Sequence, residues 1–80
     1  MVRIIVDVAL KKGVADPEGA NIKKALDLLG YKGIAEVNTI KKYELIFDGD
    51  EEDAKNIAEE ICERLLANPV IHTYAIEVKE

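Results

Sequence analysis

Residues 62–78 read CERLLANPVIHTYAIEV. Up to Ala67 the run completes an amphipathic helix, and after Pro69 it alternates. The residue before a proline is pushed out of the α region, so the helix must end at Asn68. Val70, His72, Tyr74, Ile76 and Val78 then share one side of an extended chain, with Thr73, Ala75 and Glu77 on the other. A helix that passes directly into a half-buried strand sets the pattern for the rest of the chain.

Upstream, DGDEEDAKNIAEEICERLLAN (residues 48–68) reads as that helix. Asp50 is its expected N-cap, and Glu51, Glu52 and Asp53 load the positive end of the helix dipole. The spacing places Ala54, Ile57, Ala58, Ile61 and Leu65 on the buried face. Lys55 and Glu59 form an outer i, i+4 pair. Between Gly30 and Asp50, IAEVNTI (34–40) and KYELIFD (42–48) both alternate at period two. They are too close for a crossover helix, so the spacing predicts a hairpin turning near Ile40–Lys42, although no Asn-Gly or Asp-Gly marks the turn.

At the other end, Val2, Ile4, Val6, Val8 and Leu10 alternate with Arg3, Asp7 and Lys11, which predicts a first strand; Ile5 and Ala9 soften its polar face. Asp16-Pro17-Glu18 is a helix start, with Asp as cap, Pro at the first position and Glu in the first turn. Ile22, Ala25, Leu26 and Leu29 make one apolar stripe, and Gly30 stands where a terminating glycine belongs. The predicted order is therefore β-α-β-β-α-β. It is an α+β fold of ferredoxin-like order, with an antiparallel sheet and two helices on one face.

Composition narrows the function. Eighty residues with one Cys, and 16 acids against 11 bases for a net charge of −5, suit one domain spanning 1–80 with a reduced thiol and no internal disulfide. An acidic chain lacks the basic face that nucleic acid or anionic membrane requires. No apolar run suits a signal peptide or membrane span, which points to the cytoplasm. The absence of Gln and Ser beside abundant Glu, Lys and Ile leans toward a thermophile's composition; a melting midpoint near ~50 °C would oppose that.

Catalytic chemistry is sparse. No Ser is available as a nucleophile. Cys62 has Glu59, Glu60 and Glu63 beside it, which raise a thiol pKa rather than activate it, so it reads as a packing residue. His72 is the chain's only His, neither a triad nor a metal site, and reads as structural or interfacial. The acids at 48–53 lack EF-hand spacing and read as a dipole-matched helix start. KKGVADPEGAN (11–21) contains neither phosphate-loop pattern, and Asp16 and Glu18 already place negative charge at the helix end. An acylphosphatase of this fold would need an Arg after the first strand, where Lys11 and Lys12 stand. A metal chaperone would carry C-x-x-C there. The chain's 49% apolar content and the residues Ile5, Ala9, Ile46, Ile71 and Ala75 opposite the helices point to a surface that meets other chains.

At two places the sequence strongly resembles the small, PurS-type subunit family of phosphoribosylformylglycinamidine (FGAM) synthase. Gly13-Val14-Ala15-Asp16-Pro17-Glu18-Gly19 is similar to the family's G-V-L-D-P-x-G, with Ala15 for Leu. Cys62 to Tyr74 is similar to its C-E-K-L-L-A-N-P-V-I-E-x-Y, with Arg64 for Lys and His72 for the usual acid. In the family's V-R-x-G-K-x-x-E-L stretch, Asn38 and Ile40 replace the Arg and Gly while Lys41 and Glu44-Leu45 are kept.

The resemblance implies a role in purine biosynthesis, within a ligase complex that converts formylglycinamide ribonucleotide, glutamine and ATP to the amidine, glutamate, ADP and phosphate. It implies a homo-oligomer, a dimer or higher, that joins a large synthetase subunit to a glutaminase subunit and supports ammonia transfer. It assigns no catalytic residue, cofactor or metal to this chain; ATP and magnesium are expected on the synthetase. The candidate interface and motif residues are Asp16, Pro17, Gly19, Lys41, Glu44, Leu66, Asn68, Pro69, His72 and Tyr74. The alternative is a small-molecule-sensing module of ACT type, which shares the β-α-β-β-α-β order but often has a glycine-rich first loop that is missing here.

Overall fold

A computed structural model of the chain describes residues 1–79. Strand β1 (Val2–Leu10) is followed by helix α1 (Pro17–Leu28), strand β2 (Ile40–Phe47), helix α2 (Glu51–Ile61), a wide turn at Cys62–Leu66 and strand β3 (His72–Lys79). The three strands form one antiparallel sheet in the order β2-β1-β3. The α+β class and the antiparallel sheet stand as expected. The middle of the chain differs.

Residues 34–39 are in no strand and form no hairpin. Ile40–Lys42, the expected turn, lie within β2, paired with Ala9, Val8 and Asp7. Among the described residues, the four backbone positions with positive φ are Gly13, Gly30, Gly33 and Gly49. Thus 40–42 hold no residue suited to a tight hairpin, and the chain reverses around Gly30 and Gly33 instead. Gly30 closes α1 as expected: its N–H donates to Asp27 O (3.1 Å) and that of Tyr31 to Leu26 O (3.1 Å), a Schellman pair. The observed order is β-α-β-α-β, one strand short of the ACT arrangement.

The core is small. Ile4, Val6 and Val8 from one face of β1 meet Ala54 and Ala58 of α2, with Cys62 at the start of the wide turn and Ala67 at its end. Tyr43, Leu45 and Phe47 of β2 and Tyr74, Ile76 and Val78 of β3 flank them half-buried. Burying each large aliphatic side chain contributes about 1.5–3 kcal/mol. The helix rests on the sheet through small residues, which lets its axis come close.

Two expected core positions of α2 are corrected. Ile57 is 45% exposed and Leu65 78% exposed, while Cys62 is fully buried. The cause for Leu65 is the wide turn, closed by Ala67 N–H donating to Cys62 O at 2.9 Å, an i→i+5 bond. Seven residues after Ala58, Leu65 would return to the sheet in an uninterrupted α-helix. The extra residue in the turn rotates it outward and brings Leu66 and Ala67 inward.

Only α2 covers the sheet. Helix α1 has no extensive contact with any strand, and Gly19 is its one buried residue. Helix α1 and the returning chain to Thr39 form an arm beyond the sheet. The radius of gyration is accordingly 16.1 Å, with extents of 50 × 27 × 15 Å, where about 12 Å is typical of a compact chain this long. No helix among the described residues is long and apolar enough to cross a membrane.

Candidate functional site

Two small clusters hold most of the residues singled out by sequence. The first is the root of the arm. Asp16 caps α1 by accepting from Gly19 N–H (Oδ1, 2.9 Å). Its other oxygen accepts from Thr39 N–H (2.7 Å) and Thr39 Oγ1–H (2.9 Å). These bonds, led by the one from Gly19, hold the Asp16 carboxyl below its ordinary range. One side chain therefore starts a helix and fastens Thr39, the residue just before β2. Pro17 stands at the first helical position. Gly19 faces the Val37 carbonyl so closely that a Cβ there would collide with Val37 O. The returning chain passes directly over the helix start.

The second cluster is the corner at Asn68–His72. Asn68 Oδ1 accepts from Val70 N–H (3.0 Å), and Asn68 O accepts from Ile71 N–H (3.0 Å) and His72 N–H (2.7 Å). Asn68 N–H donates to His72 Nδ1 at 2.8 Å. Pro69, with no N–H, asks nothing of this network. Ile71 O accepts from Lys11 N–H (2.7 Å), which ties the corner to the end of β1. The tip is apolar: Val70 is 77% exposed.

A groove of about 190 Å³ runs between the clusters, lined by Thr39, Lys41, Tyr43, Leu66 and His72 over Val8 and Leu10. Lys41, Leu66 and His72, far apart in sequence, meet here. Glu44 does not join them. It lies on the opposite sheet face, 3.5 Å from Arg3 Nη1. Tyr74 lies on the helix side of β3 against the core, where burial, and then the charge of Glu63, push its hydroxyl pKa up. Burial likewise raises the Cys62 thiol, helped by Glu63 and Glu59; buried against the sheet, it is a packing residue. Among the described residues, no three His, Cys, Asp or Glu side chains converge as a metal site would require.

Sequence reasoning missed Thr39 and the outward turn of Leu65. Thr39 carries no local signal, because its partner is 23 positions away. The surface opposite the helices was anticipated better: β1, β2 and β3 place Ile5, Ala9, Ile46 and Ala75 on the face away from α2.

The arrangement builds corners, a groove and an arm, and Asp16 Oδ1 and Oδ2, Asn68 Oδ1 and His72 Nδ1 each accept from a backbone donor. A family model for PurS, phosphoribosylformylglycinamidine (FGAM) synthase, matches residues 3–80. The chain belongs to the PurS family. It is 47% identical to the phosphoribosylformylglycinamidine synthase subunit PurS of Methanocaldococcus jannaschii, over all of this chain and 98% of that one. It is 38% identical to the Bacillus subtilis subunit, over all of this chain and 95% of that one. In three dimensions it is similar to the crystal structure of the Methanocaldococcus jannaschii PurS, with a TM-score of 0.89 at 46% identity, covering 100% of this chain and 98% of that one. A chain of PurLQS from Thermotoga maritima gives 0.84 at 26% identity, covering 98% and 96%.

Proposed function

We propose that this chain is the small assembly subunit of an FGAM synthase, a ligase complex of purine biosynthesis, and that it joins the large synthetase subunit to the glutaminase subunit. The observation that carries this reading is likeness along the full length. The chain matches PurS proteins from end to end, and one of its structural neighbours belongs to a PurLQS assembly. The side chains agree with it. Both Asp16 oxygens and the His72 Nδ1 atom are engaged by donors of this chain, where they act as structural fasteners. ATP, magnesium and the ribonucleotide belong to the synthetase in this reading, and the complex works in the cytoplasm.

The corner at Asn68–His72, with its exposed Val70 tip, and the adjoining groove are the surfaces offered to partner subunits. Their positions are fixed by backbone bonds rather than by flexible side chains, which limits the ordering entropy lost on docking. The test is reconstitution. The chain is mixed with the synthetase and glutaminase subunits, and glutamine-dependent amidine formation is followed. Turnover should fall sharply when this chain is omitted; equal turnover without it refutes the assignment. Asn68→Asp with Pro69→Ala should weaken complex formation more than it lowers the stability of the isolated protein.

A further inference from the structure

His72 is the chain's only histidine, and the corner uses it in one protonation state. Asn68 and His72 hold each other by two bonds. Asn68 N–H donates to His72 Nδ1 (2.8 Å), and His72 N–H donates to Asn68 O (2.7 Å). A backbone amide can only donate, so Nδ1 must be the bare, accepting nitrogen, and the ring carries its proton on Nε2. A second proton would go to Nδ1, the atom that the corner needs. Two N–H groups would then point at each other, and one must turn away. Asn68 N–H loses its acceptor, and only the bond from His72 N–H to Asn68 O remains of the pair.

The neighbours of the ring hold their charge across the range in which a histidine changes its own. Lys41 and Tyr43 of β2 share the groove with His72, beside Val8 and Leu10 of β1 and Leu66 of the wide turn. Lys11, whose N–H holds Ile71 O, follows β1. Glu63 of the wide turn and Glu59 of α2 act on Tyr74, the next residue on the same face of β3. The corner from Asn68 to Ile71 has no ionisable side chain. Carboxylates ordinarily titrate below about pH 5, and lysines and tyrosines above about pH 9. Among these side chains histidine alone ordinarily changes charge between about pH 5 and 8. A carboxylate, which stands at this place in the family's pattern, stays an acceptor throughout that range; an imidazole does not.

We infer that His72 is a proton-controlled latch on the corner: neutral, it fixes Asn68 by accepting from its N–H, and protonated, it lets go. The consequence for assembly rests on the reading of the corner as a surface offered to partner subunits. Asn68 Oδ1 accepts from Val70 N–H, so the exposed tip is tied to the residue that the latch holds. With the latch open, the tip keeps its place for a smaller fraction of the time, and a partner must order it on docking. Docking is therefore strongest above the histidine range and weakens as pH falls through it. The loss is about three- to tenfold, the scale on which a single hydrogen bond ordinarily counts. His72 acts here as a positioning residue and touches no substrate.

The test follows the full, isotope-labelled chain by NMR from about pH 5 to 8. At the upper end the ring resonances of His72 should be those of the Nε2–H tautomer. The amide resonances of Asn68 and Val70 should move with the ring's own titration. His72→Asn puts an uncharged oxygen near the place of Nδ1 and should keep the Asn68 amide in its high-pH position throughout. His72→Gln carries its amide group at the reach of Nε2 instead and should leave Asn68 in the low-pH position throughout. Methyl signals of Ile4, Val6 and Val8 report an intact core in both variants. Affinity for the synthetase and glutaminase subunits is then measured at both ends of the range, with His72→Asn as the reference for titrations on the partners. Relative to that variant the parent should lose about three- to tenfold in acid, and His72→Gln should bind weakly at both ends. A ring protonated on Nδ1 at the upper end, an Asn68 amide indifferent to the ring, or a parent whose affinity follows His72→Asn at every pH would each overturn the inference. A chain that binds neither subunit at any pH would refute the functional assignment, and the Asn68 titration would still decide the latch.

Discussion

Gly19 sits within a helix, where alanine is ordinarily the better residue by about 0.5–1 kcal/mol. The sign should reverse here. A methyl at Gly19 would meet the Val37 carbonyl, and backbone cannot swing aside as a flexible side-chain tip can. Gly19→Ala should lower stability by about 1–3 kcal/mol, the range for forced overpacking, read as a fall in thermal midpoint. A rise in midpoint would mean that the returning chain does not cross there. Asp16 makes a second prediction at the same root. Its carboxylate is held below the ordinary 3.8 by the Gly19 and Thr39 donors. The stabilisation is therefore fully present above that ordinary value and is lost as pH falls through the lower, folded one. The amide resonances of Gly19 and Thr39 should titrate together below pH 3.8, and Asp16→Asn should abolish the shared transition. Independent midpoints for the two amides would show that no single carboxylate holds both.

Among the elements, those whose signals are local were legible in the sequence. The caps at Asp16 and Asp50 accept from Gly19 and Asp53 as their spacing implies. β1 and β3 follow their alternation, and Asn68-Pro69 ends the helical run. The stretch 34–40 failed for a physical reason. Period two reports an extended chain with two unlike sides, but it does not say which strand supplies the hydrogen bonds. Ile34–Thr39 belong to no strand, and Ile40 already belongs to β2. Leu65 failed because one i→i+5 bond shifts the phase of a helix without a residue type that announces it. Of the site, Asn68 and Pro69 were readable as a junction, but their meeting with His72 and Lys11 depends on tertiary closure. The seating of α2 is itself testable. Ala54 and Ala58 allow the close approach to Ile4, Val6 and Val8, so Ala58→Leu should lift the helix and cost about 1–3 kcal/mol or more. Leu65→Ala, at an exposed site, should leave the core signals unchanged. If Ala58→Leu were tolerated without loss in denaturant melts, α2 would not be packed as described.

For the whole molecule, the division of labour between core and arm makes stability depend on concentration. The seven buried hydrophobic residues among those described come from β1, α2, Cys62 at the start of the wide turn and Ala67 just past its end. They make a small core for a chain whose conformational entropy cost is about 1–2 kcal/mol for each ordered backbone residue. Helix α1, with 12 residues, is at the length where an isolated helix is marginal in water. If its cover comes from a second copy, folding and association are one equilibrium, and mass action sets the midpoint. Dilution should therefore lower the thermal midpoint steadily, with the helical signal of α1 lost in the same transition as the sheet. Leu29→Asp should remove that dependence and leave a lower, concentration-independent midpoint. A parent chain that melts at one temperature across a hundredfold dilution would place the cover of α1 within its own copy. The arm would then have to fold back over the β2 side of the sheet, where Tyr43, Leu45 and Phe47 are only half covered.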